Sequence, residues 1–464
     1  MIILIYFLID FQFLVVFFYN FSDFIRNILV SKRQVEHGFK MRVWYIFLVT
    51  IISFSLRSAP LDFKIAGEAA ILLNAESGAI LFEQEAYTCQ FPASTTKVAT
   101  ALYALSKKQD LNQMMTAEQD SLTTLSQEAK KKTNYDPPYR LEPDGSHIGL
   151  KKGEMMSLHD LLGGMLIPSG NDAANVIANA LGPTIPVFMA ELNIYLKKIG
   201  CEKTTFYNPH GLHHPQHQTT AYDLALITKE ALKQPVFCEL IGQKKYLRPK
   251  TNKQAATTLL QTNRLIRPGS FYYSKAIGGK TGYHAKAKKT YIGVARSEER
   301  TLIVVLLGYQ ERNTIFQDAI KLFDAAFNQP KIQRTFLKEG RQSFAQNLPK
   351  AACPLQTHLE EPLKLDYYLA EDPEAKCLLY WMIPSLPIQK DQQVGELHLI
   401  AKNGSLIKKA SLLALGDVSY AWPYSWMANI ESFFGQLSWL WVSLVSLFIF
   451  GLLFFIWKSS PKKL

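Results

Sequence analysis

The sequence predicts a mixed α/β fold, with one sheet assembled from distant parts of the chain and a helical lobe packed against it, then a small all-β module and a C-terminal transmembrane helix. Three observations predict it. Strand-like runs at 68–83 and after about residue 270 enclose a helical middle; short apolar runs broken by prolines and turns fill 329–418; and an uncharged apolar run lies near the C-terminus. With 464 residues and 48% apolar composition, the chain is long enough for two or three domains with a sizeable core.

The region 1–60 is hydrophobic. Residues 1–18 are interrupted by Asp10, whereas Met41-Arg42 and the following VWYIFLVTIISFSL have the charge, apolar length and small residues of a secretory signal, spanning 41–58. Translation is therefore expected to begin at Met41. If the first 40 residues are retained, Arg26, Lys32, Arg33, Lys40 and Arg42 form a basic cytoplasmic loop, and the exported side is unchanged.

The α/β region is expected over 61–328. EAAILLNAESGAILFE (68–83) reads as two β-runs around Ala75-Glu76-Ser77-Gly78. Helices follow from Ser94 to about residue 233, with Ser157 capping LHDLLGGMLI and Thr220 capping AYDLALITKEALK. Strands return at 290–295 and 301–307, joined by the polar RSEER, and FQDAIKLFDAAF (316–327) reads as a helix. The β-rich module occupies 329–418. A linker, 419–436, carries Trp422, Tyr424 and Trp426, which suit a membrane interface. The uncharged run 437–457 is about long enough to cross a bilayer as a helix. Lys458, Lys462 and Lys463 follow, so the tail 458–464 is expected in the cytoplasm and the preceding chain outside.

The 51 basic and 39 acidic residues give a net charge of +12. The basic residues fall in scattered groups such as Lys107-Lys108, Lys130-Lys131-Lys132 and Lys151-Lys152, without interleaved aromatics to stack bases, which argues against nucleic acid. Of five cysteines, Cys353 and Cys377 lie in one segment and are candidates for a bridge, whereas Cys89, Cys201 and Cys238 read as free thiols. No C-x-x-C supports a zinc or redox motif.

Three short motifs carry chemistry. SKAIGGKTGYHAKAKKTYIGVA (274–295) superficially resembles a phosphate loop, but Ser274 stands where that loop needs its first glycine, and strands follow where it needs a helix. Lys280-Thr281-Gly282 therefore rides on an edge strand, offering a cation, a hydroxyl and a glycine that lets a ligand approach the backbone. Ser94-Thr95-Thr96-Lys97 opens a helix with Ser94 and Lys97 on one face, and a lysine amine beside a serine acts as a base when burial or nearby positive charge lowers its pKa. Ser169-Gly170-Asn171 offers a second hydroxyl and an amide in a tight turn, where Asn171 or Asp172 would equally serve as a helix cap.

S-x-x-K, S-x-N and K-T-G in this order resemble the motif set of penicillin-binding proteins and serine β-lactamases. PASTTKVATALYAL, LLGGMLIPSGNDAANVIA and FYNPHGLHHPQHQTTAYDLALI resemble in particular the low-molecular-mass D-alanyl-D-alanine carboxypeptidases of peptidase family S11 type, from about residue 66 to 327. The segment 330–418, with VGELHLI and KKASLLAL, looks like the β-rich C-terminal domain of the same group.

The resemblance implies a β-lactamase/transpeptidase-like fold, an antiparallel sheet plus a helical lobe. It implies a serine DD-carboxypeptidase that removes the terminal D-Ala of peptidoglycan stem peptides through an acyl-enzyme, is acylated by β-lactams and needs no cofactor. Ser94 would attack the carbonyl of the penultimate D-Ala and Lys97 would take its proton; Ser169 and Lys280 would relay protons to the leaving D-Ala; Asn171 would hold the substrate amide. Lys280 and Thr281 would face the terminal carboxylate beside Gly282. The backbone N–H groups of Ser94 and Tyr283 would form the oxyanion hole, worth roughly 3–4 kcal/mol per donor in comparable enzymes.

Several positions depart from the family pattern. Ala287-Lys288-Lys289 replaces a common Ala-Gly pair, and reads either as a cationic rim for an acidic muropeptide or as a solvated edge strand marked by lysines. Ile315 stands where the family often has an arginine, so either Arg312 substitutes or carboxylate binding is weaker. KKKTNYDPPYRLEPDG reads as an irregular loop at the site mouth. His210, His213, His214 and His217 in HGLHHPQH have the chemistry of zinc ligands, but NPHGL matches a family loop, and no metal is expected. A DD-endopeptidase, a β-lactamase and a non-catalytic penicillin-binding or wall-anchoring protein remain alternatives. The intact Ser94, Lys97, Asn171 and Lys280 argue against the last.

Overall fold

The computed structural model describes residues 61–459 apart from 62, 109, 132–135 and 299. The N-terminal apolar stretches, including the signal-like segment 41–58, and the tail from 460 lie outside the described residues.

Ala69–Asn74 (β1) and Ile80–Gln84 (β2) form a hairpin, and Ala276–His284 (β3), Lys288–Ser297 (β4) and Arg300–Tyr309 (β5) form a meander. They join into one antiparallel sheet in the order β2-β1-β5-β4-β3, with β1 and β5 paired from Ala69↔Leu307 to Asn74↔Leu302. The reason is visible in β5. Its sequence, RTLIVVLLGY, is buried at every position, as a strand covered on both faces requires.

Side chains alternate between the two covers. Ile71, Leu73, Ile303, Val305 and Leu307 pack into the core of the helical lobe; Ala70, Leu72, Leu302, Val304 and Leu306 pack with Phe316, Leu322 and Phe323 on the opposite face. The lobe contains Thr96–Ser106 (α1), Leu158–Leu166 (α2), Asn171–Leu181 (α3), Ile185–Lys198 (α4), Ala221–Ala231 (α5) and Pro235–Gly242 (α6). Arg312–Phe327 (α7) supplies the second cover. Ser157 and Thr220 cap α2 and α5 as expected, accepting from Asp160 N at 3.1 Å and Asp223 N at 3.0 Å.

Two small two-stranded antiparallel sheets were not expected: Met114–Thr116 pairs with Met155–Ser157 inside the region read as helical, and Lys245–Arg248 pairs with Thr257–Leu260 after it. Strands this short carry too little alternation to stand out from turns. Helix α7 starts at Arg312, before the expected residue 316, because Glu311 provides no side-chain cap to mark its entry.

The C-terminal segment is β-rich. Lys331–Leu337 pairs with Leu363–Tyr368, and a five-stranded antiparallel sheet runs in the order Gly340–Gln346, Leu355–Leu359, Leu406–Ala414, Gln393–Ile400, Lys376–Trp381. Leu359, Leu397, Leu399 and Leu412 form part of its core. All five cysteines are free thiols, so the Cys353–Cys377 bridge is not formed.

Arg300 ties this segment to the first sheet. Read from sequence as the end of a polar connection, it is instead buried: its guanidinium pairs with Glu371, donates to Ala326 O at 2.9 Å and lies 3.7 Å from the Tyr368 ring centroid. Glu371 also accepts from Asn74 Nδ2 at 2.8 Å.

Tyr424–Ser459 is one helix and contains the apolar run 437–457. Many side chains in that run lie outside the described residues. Among the described residues no single helix is long and apolar enough to cross a membrane; the bent pair α3–α4, at 86°, has the length and composition but contributes to the lobe core.

Candidate active site

The turn that carries Ser94 is a 3-10 turn, Ala93–Thr95, leading directly into α1. Ala93 has φ +50°, a left-handed conformation that a non-glycine residue holds only when its surroundings enforce it. Thr290 Oγ1 donates to Pro92 O at 2.8 Å, and Thr96 Oγ1 donates to Ala93 O at 2.9 Å. Gly211, at φ +90°, lies so close that a Cβ there would sit 1.8 Å from Ala93 O. Contacts from two distant segments, with the local Thr96 bond, fix the turn.

One helical turn later, Lys97 Nζ lies 3.0 Å from Ser94 Oγ, 2.6 Å from Asn171 Oδ1 and 2.7 Å from His210 O. The side chain is fully buried. Burial holds its amine well below the usual lysine range; the Lys280 charge adds to this, and Asp172 opposes it.

Lys280 is also fully buried, on edge strand β3 as expected. It donates to Ser169 Oγ and to Thr281 O, both at 2.8 Å, and burial lowers its pKa to about 7. Ser169 is held at φ +74° immediately before α3. Thr281 Oγ1 donates to Thr262 Oγ1 at 2.8 Å.

Asn171 is the first residue of α3, so neither it nor Asp172 is the cap; Gly170 holds that position without a side-chain bond. Asp172 has another task. Its carboxylate accepts from Ile148 N at 3.0 Å, Gly149 N at 2.9 Å and Leu150 N at 3.0 Å, while Asn171 N donates to Ser146 O at 2.8 Å. The loop bordering the site is thereby pinned to the helix that presents Asn171.

Gly282 permits the closest approach in the site. A Cβ there would meet Thr290 Oγ1 at 2.4 Å and Ser94 N at 2.8 Å, so the β3 backbone passes directly against the turn that carries Ser94. Tyr283 next to it is 65% exposed, with the Lys289 ammonium 5.1 Å from its ring centroid. Ser94, Ser169, Asn171, Thr281, Gly282 and Tyr283 all line one cavity of about 710 Å³. Lys130, Glu142 and Asp144 also line it, bringing the Pro137-Pro138 loop region to the site; the helix Gln127–Lys131 occupies its first lysines, where no regular structure was expected.

The departures resolve differently. Lys288 pairs with Glu68 and so is no free rim cation, while Lys289 donates to Gln310 O and lines the cavity. Both sit on the inner strand β4, not on an edge. Ile315 is buried, and Arg312 lines the cavity.

The four histidines do not converge. His210 and His217 are buried, with His217 Nε2 and Thr96 Oγ1 2.9 Å apart; His214 stacks on Tyr207; His213 packs against Phe91 and His284. Among the described residues no group of three or more His, Cys, Asp or Glu side chains is placed to hold a metal.

Sequence reasoning missed Thr290, Thr262, Asp172 as an organiser of the loop, and the His210 carbonyl. Asp172 alone had a local signal, its position next to Asn171. The others act through hydroxyls or backbone oxygens that no motif marks.

The family model for D-alanyl-D-alanine carboxypeptidase matches residues 55–311. D-alanyl-D-alanine carboxypeptidase DacF of Bacillus subtilis is 28% identical over 368 residues, covering 76% of this chain and 86% of the relative. DacB2 of Mycobacterium tuberculosis is 31% identical over 262 residues, covering 55% and 81% respectively. Among solved structures, a D-alanyl-D-alanine carboxypeptidase of Mycobacterium tuberculosis matches with a TM-score of 0.50 at 29% identity, covering 59% of this chain and 94% of its own. Penicillin-binding protein 5 of Haemophilus influenzae, at 22% identity, shares the fold over 78% of this chain and 100% of its own, with a TM-score of 0.54.

Proposed function

The chain belongs to the D-alanyl-D-alanine carboxypeptidase family and is a serine-type hydrolase that removes the terminal D-Ala from peptidoglycan stem peptides; we propose that Ser94 is its nucleophile and Lys97 the base that activates it. The observation that carries this assignment is the set of partners around Lys97 Nζ. Two of them, Asn171 Oδ1 and His210 O, can only accept. A neutral amine gives its two N–H groups to those oxygens and keeps its lone pair for the Ser94 hydroxyl, 3.0 Å away.

The reaction follows from that arrangement. Ser94 Oγ attacks the carbonyl carbon of the penultimate D-Ala as its proton passes to Lys97, and the backbone N–H groups of Ser94 and Tyr283 hold the oxyanion. The C–N bond then breaks. The proton moves from Lys97 to the departing amine by way of Ser169, whose hydroxyl is oriented by Lys280, and D-Ala leaves. Lys97, neutral again, takes a proton from water as that water attacks the ester, then gives it to Ser94 Oγ as the C–O bond breaks, releasing the shortened peptide and restoring Ser94.

Binding follows the same groups. Asn171 uses its oxygen on Lys97, which leaves its amide nitrogen for a substrate carbonyl. Lys280 and Thr281 receive the terminal carboxylate, and Gly282 lets the peptide lie against β3. A β-lactam acylates the same serine as a cyclic amide mimic of the substrate.

The enzyme works outside the cytoplasmic membrane on this reading, held by the run 437–457. In support, that run contains no charged residue, Lys458 and Lys462 follow it, and Leu447, Phe448 and Phe450 within it are each at least 70% exposed. The catalytic assignment is tested with a pentapeptide ending in D-Ala-D-Ala. The native protein releases D-Ala, and folded Ser94→Ala does not; undiminished release by that variant contradicts the assignment.

A further inference from the structure

A second pocket, of about 300 Å³, adjoins the catalytic cavity and is lined by Arg264, Arg267 and Arg312 together with Pro268, Gly269 and Phe271. Arg312 lines both spaces. Three arginines line this small volume, and no Asp or Glu is among its lining residues. Such a concavity concentrates anions, and the planar fork of arginine suits a carboxylate.

Two of the three arginines are already oriented. Arg264 Nη1 donates to Asn313 Oδ1 at 2.8 Å, and its guanidinium lies 4.3 Å from the Phe271 ring centroid. Arg267 Nη1 donates to Gln261 O at 3.0 Å. Arg312 is the exposed first residue of α7, whose entry has no side-chain cap, so the helix end adds its own positive potential.

The pocket also has a direction relative to the reaction. Thr262, bonded to Thr281, and Arg312 both line the catalytic cavity, Arg264 follows Thr262 by two residues, and Arg312 also lines the second pocket, which puts that pocket next to the Thr281–Thr262 side of the cavity. On the reading above, that side holds the residue that departs. A group in the arginine pocket would belong to the leaving portion and lie beyond its α-carboxylate.

We propose that the Arg264–Arg267–Arg312 pocket is a leaving-group subsite for a second carboxylate, which extends the enzyme from terminal D-Ala to departing groups with an additional acidic side chain. The proposal rests on Thr281 marking the leaving side. The acceptor strand of a cross-linked peptide, when it bears free carboxylates, belongs to this substrate class, so the subsite biases the enzyme toward endopeptidase-like cleavage.

The test uses the full-length protein and three peptides identical through the penultimate D-Ala but ending in D-Ala, D-Glu or D-Gln. D-Gln matches D-Glu in size and lacks the charge. The native enzyme is expected to favour D-Glu over D-Gln in kcat/KM by about fivefold or more at low salt, as charge-assisted contacts in an open pocket allow. Arg267→Gln, and more fully Arg264→Gln with Arg267→Gln, should bring that ratio toward one, while Arg267→Gln leaves D-Ala release unchanged. Equal or poorer cleavage of D-Glu than of D-Gln, cleavage of neither, or an equal loss on all three peptides overturns the subsite. D-Ala release that survives Ser94→Ala overturns the catalytic reading instead, whatever the ratio.

Discussion

Thr290 Oγ1 donates to Pro92 O at 2.8 Å, and through that bond β4 holds the turn that carries Ser94. Thr290→Val keeps the shape and removes the bond. Urea unfolding should show a loss of about 1 kcal/mol, and β-lactam acylation should slow by about tenfold as the turn loosens. An unchanged acylation rate would show that Gly211 and Thr96 suffice to hold the turn.

Asp172 supports the protonated form of Lys97, whereas burial and Lys280 oppose it. Lys97 accepts a proton only when neutral, so acylation declines as pH falls through its pKa in the folded protein. Asp172→Asn removes the carboxylate that favours the ammonium form, and the acid limb of the acylation profile should move to lower pH. The variant should also unfold more easily, because its amide nitrogen cannot accept from the Gly149 and Leu150 N–H groups. A limb that shifts to higher pH contradicts the assignment of Lys97 as base.

Lys280 makes stability depend on pH in a defined direction. Its pKa is about 7 in the folded protein against an ordinary 10.5, so between those values the unfolded chain binds more protons and stability rises with pH. Burying this lysine is most costly below about 7. Lys280→Met should therefore raise Tm relative to the native protein most at neutral and lower pH, with the difference narrowing toward pH 10.5, while D-Ala release is lost. A Tm difference that widens as pH rises contradicts the burial argument.

Arg300 and Glu371 are a buried pair between the first sheet and the C-terminal segment. Glu371→Ala leaves the guanidinium buried with the Ala326 carbonyl and the Tyr368 and Phe327 rings but no counter-charge, and denaturant unfolding should show a loss of about 3–5 kcal/mol. A loss below about 1 kcal/mol, the usual range for surface pairs, would mean that water reaches the pair.

The three short motifs that line the cavity were legible because each is set by local spacing. Ser94 and Lys97 meet across one helical turn, and the caps Ser157 and Thr220 announce their helices in the same local way. The β5 strand was legible because its nearly uninterrupted apolar run suits burial on both faces. What stayed hidden joins residues far apart in sequence through atoms common to many side chains: Thr290 with Pro92, Thr281 with Thr262, and Lys97 with the His210 carbonyl. Charge patterning misled where a partner came from elsewhere in the chain. Arg300 looked like part of a solvated turn until Glu371 covered it, and Lys288 looked like a rim cation until Glu68 paired with it.

The most direct test of the central claim, that Ser94 is a nucleophile activated by Lys97, is to acylate the protein with a β-lactam, digest it and locate the adduct by mass spectrometry in the native protein and in Lys97→Met. An adduct on Ser94 is expected in the native protein, with acylation slowed by at least about a hundredfold in the variant. An adduct on Ser169, or acylation of Lys97→Met at the native rate, would contradict it.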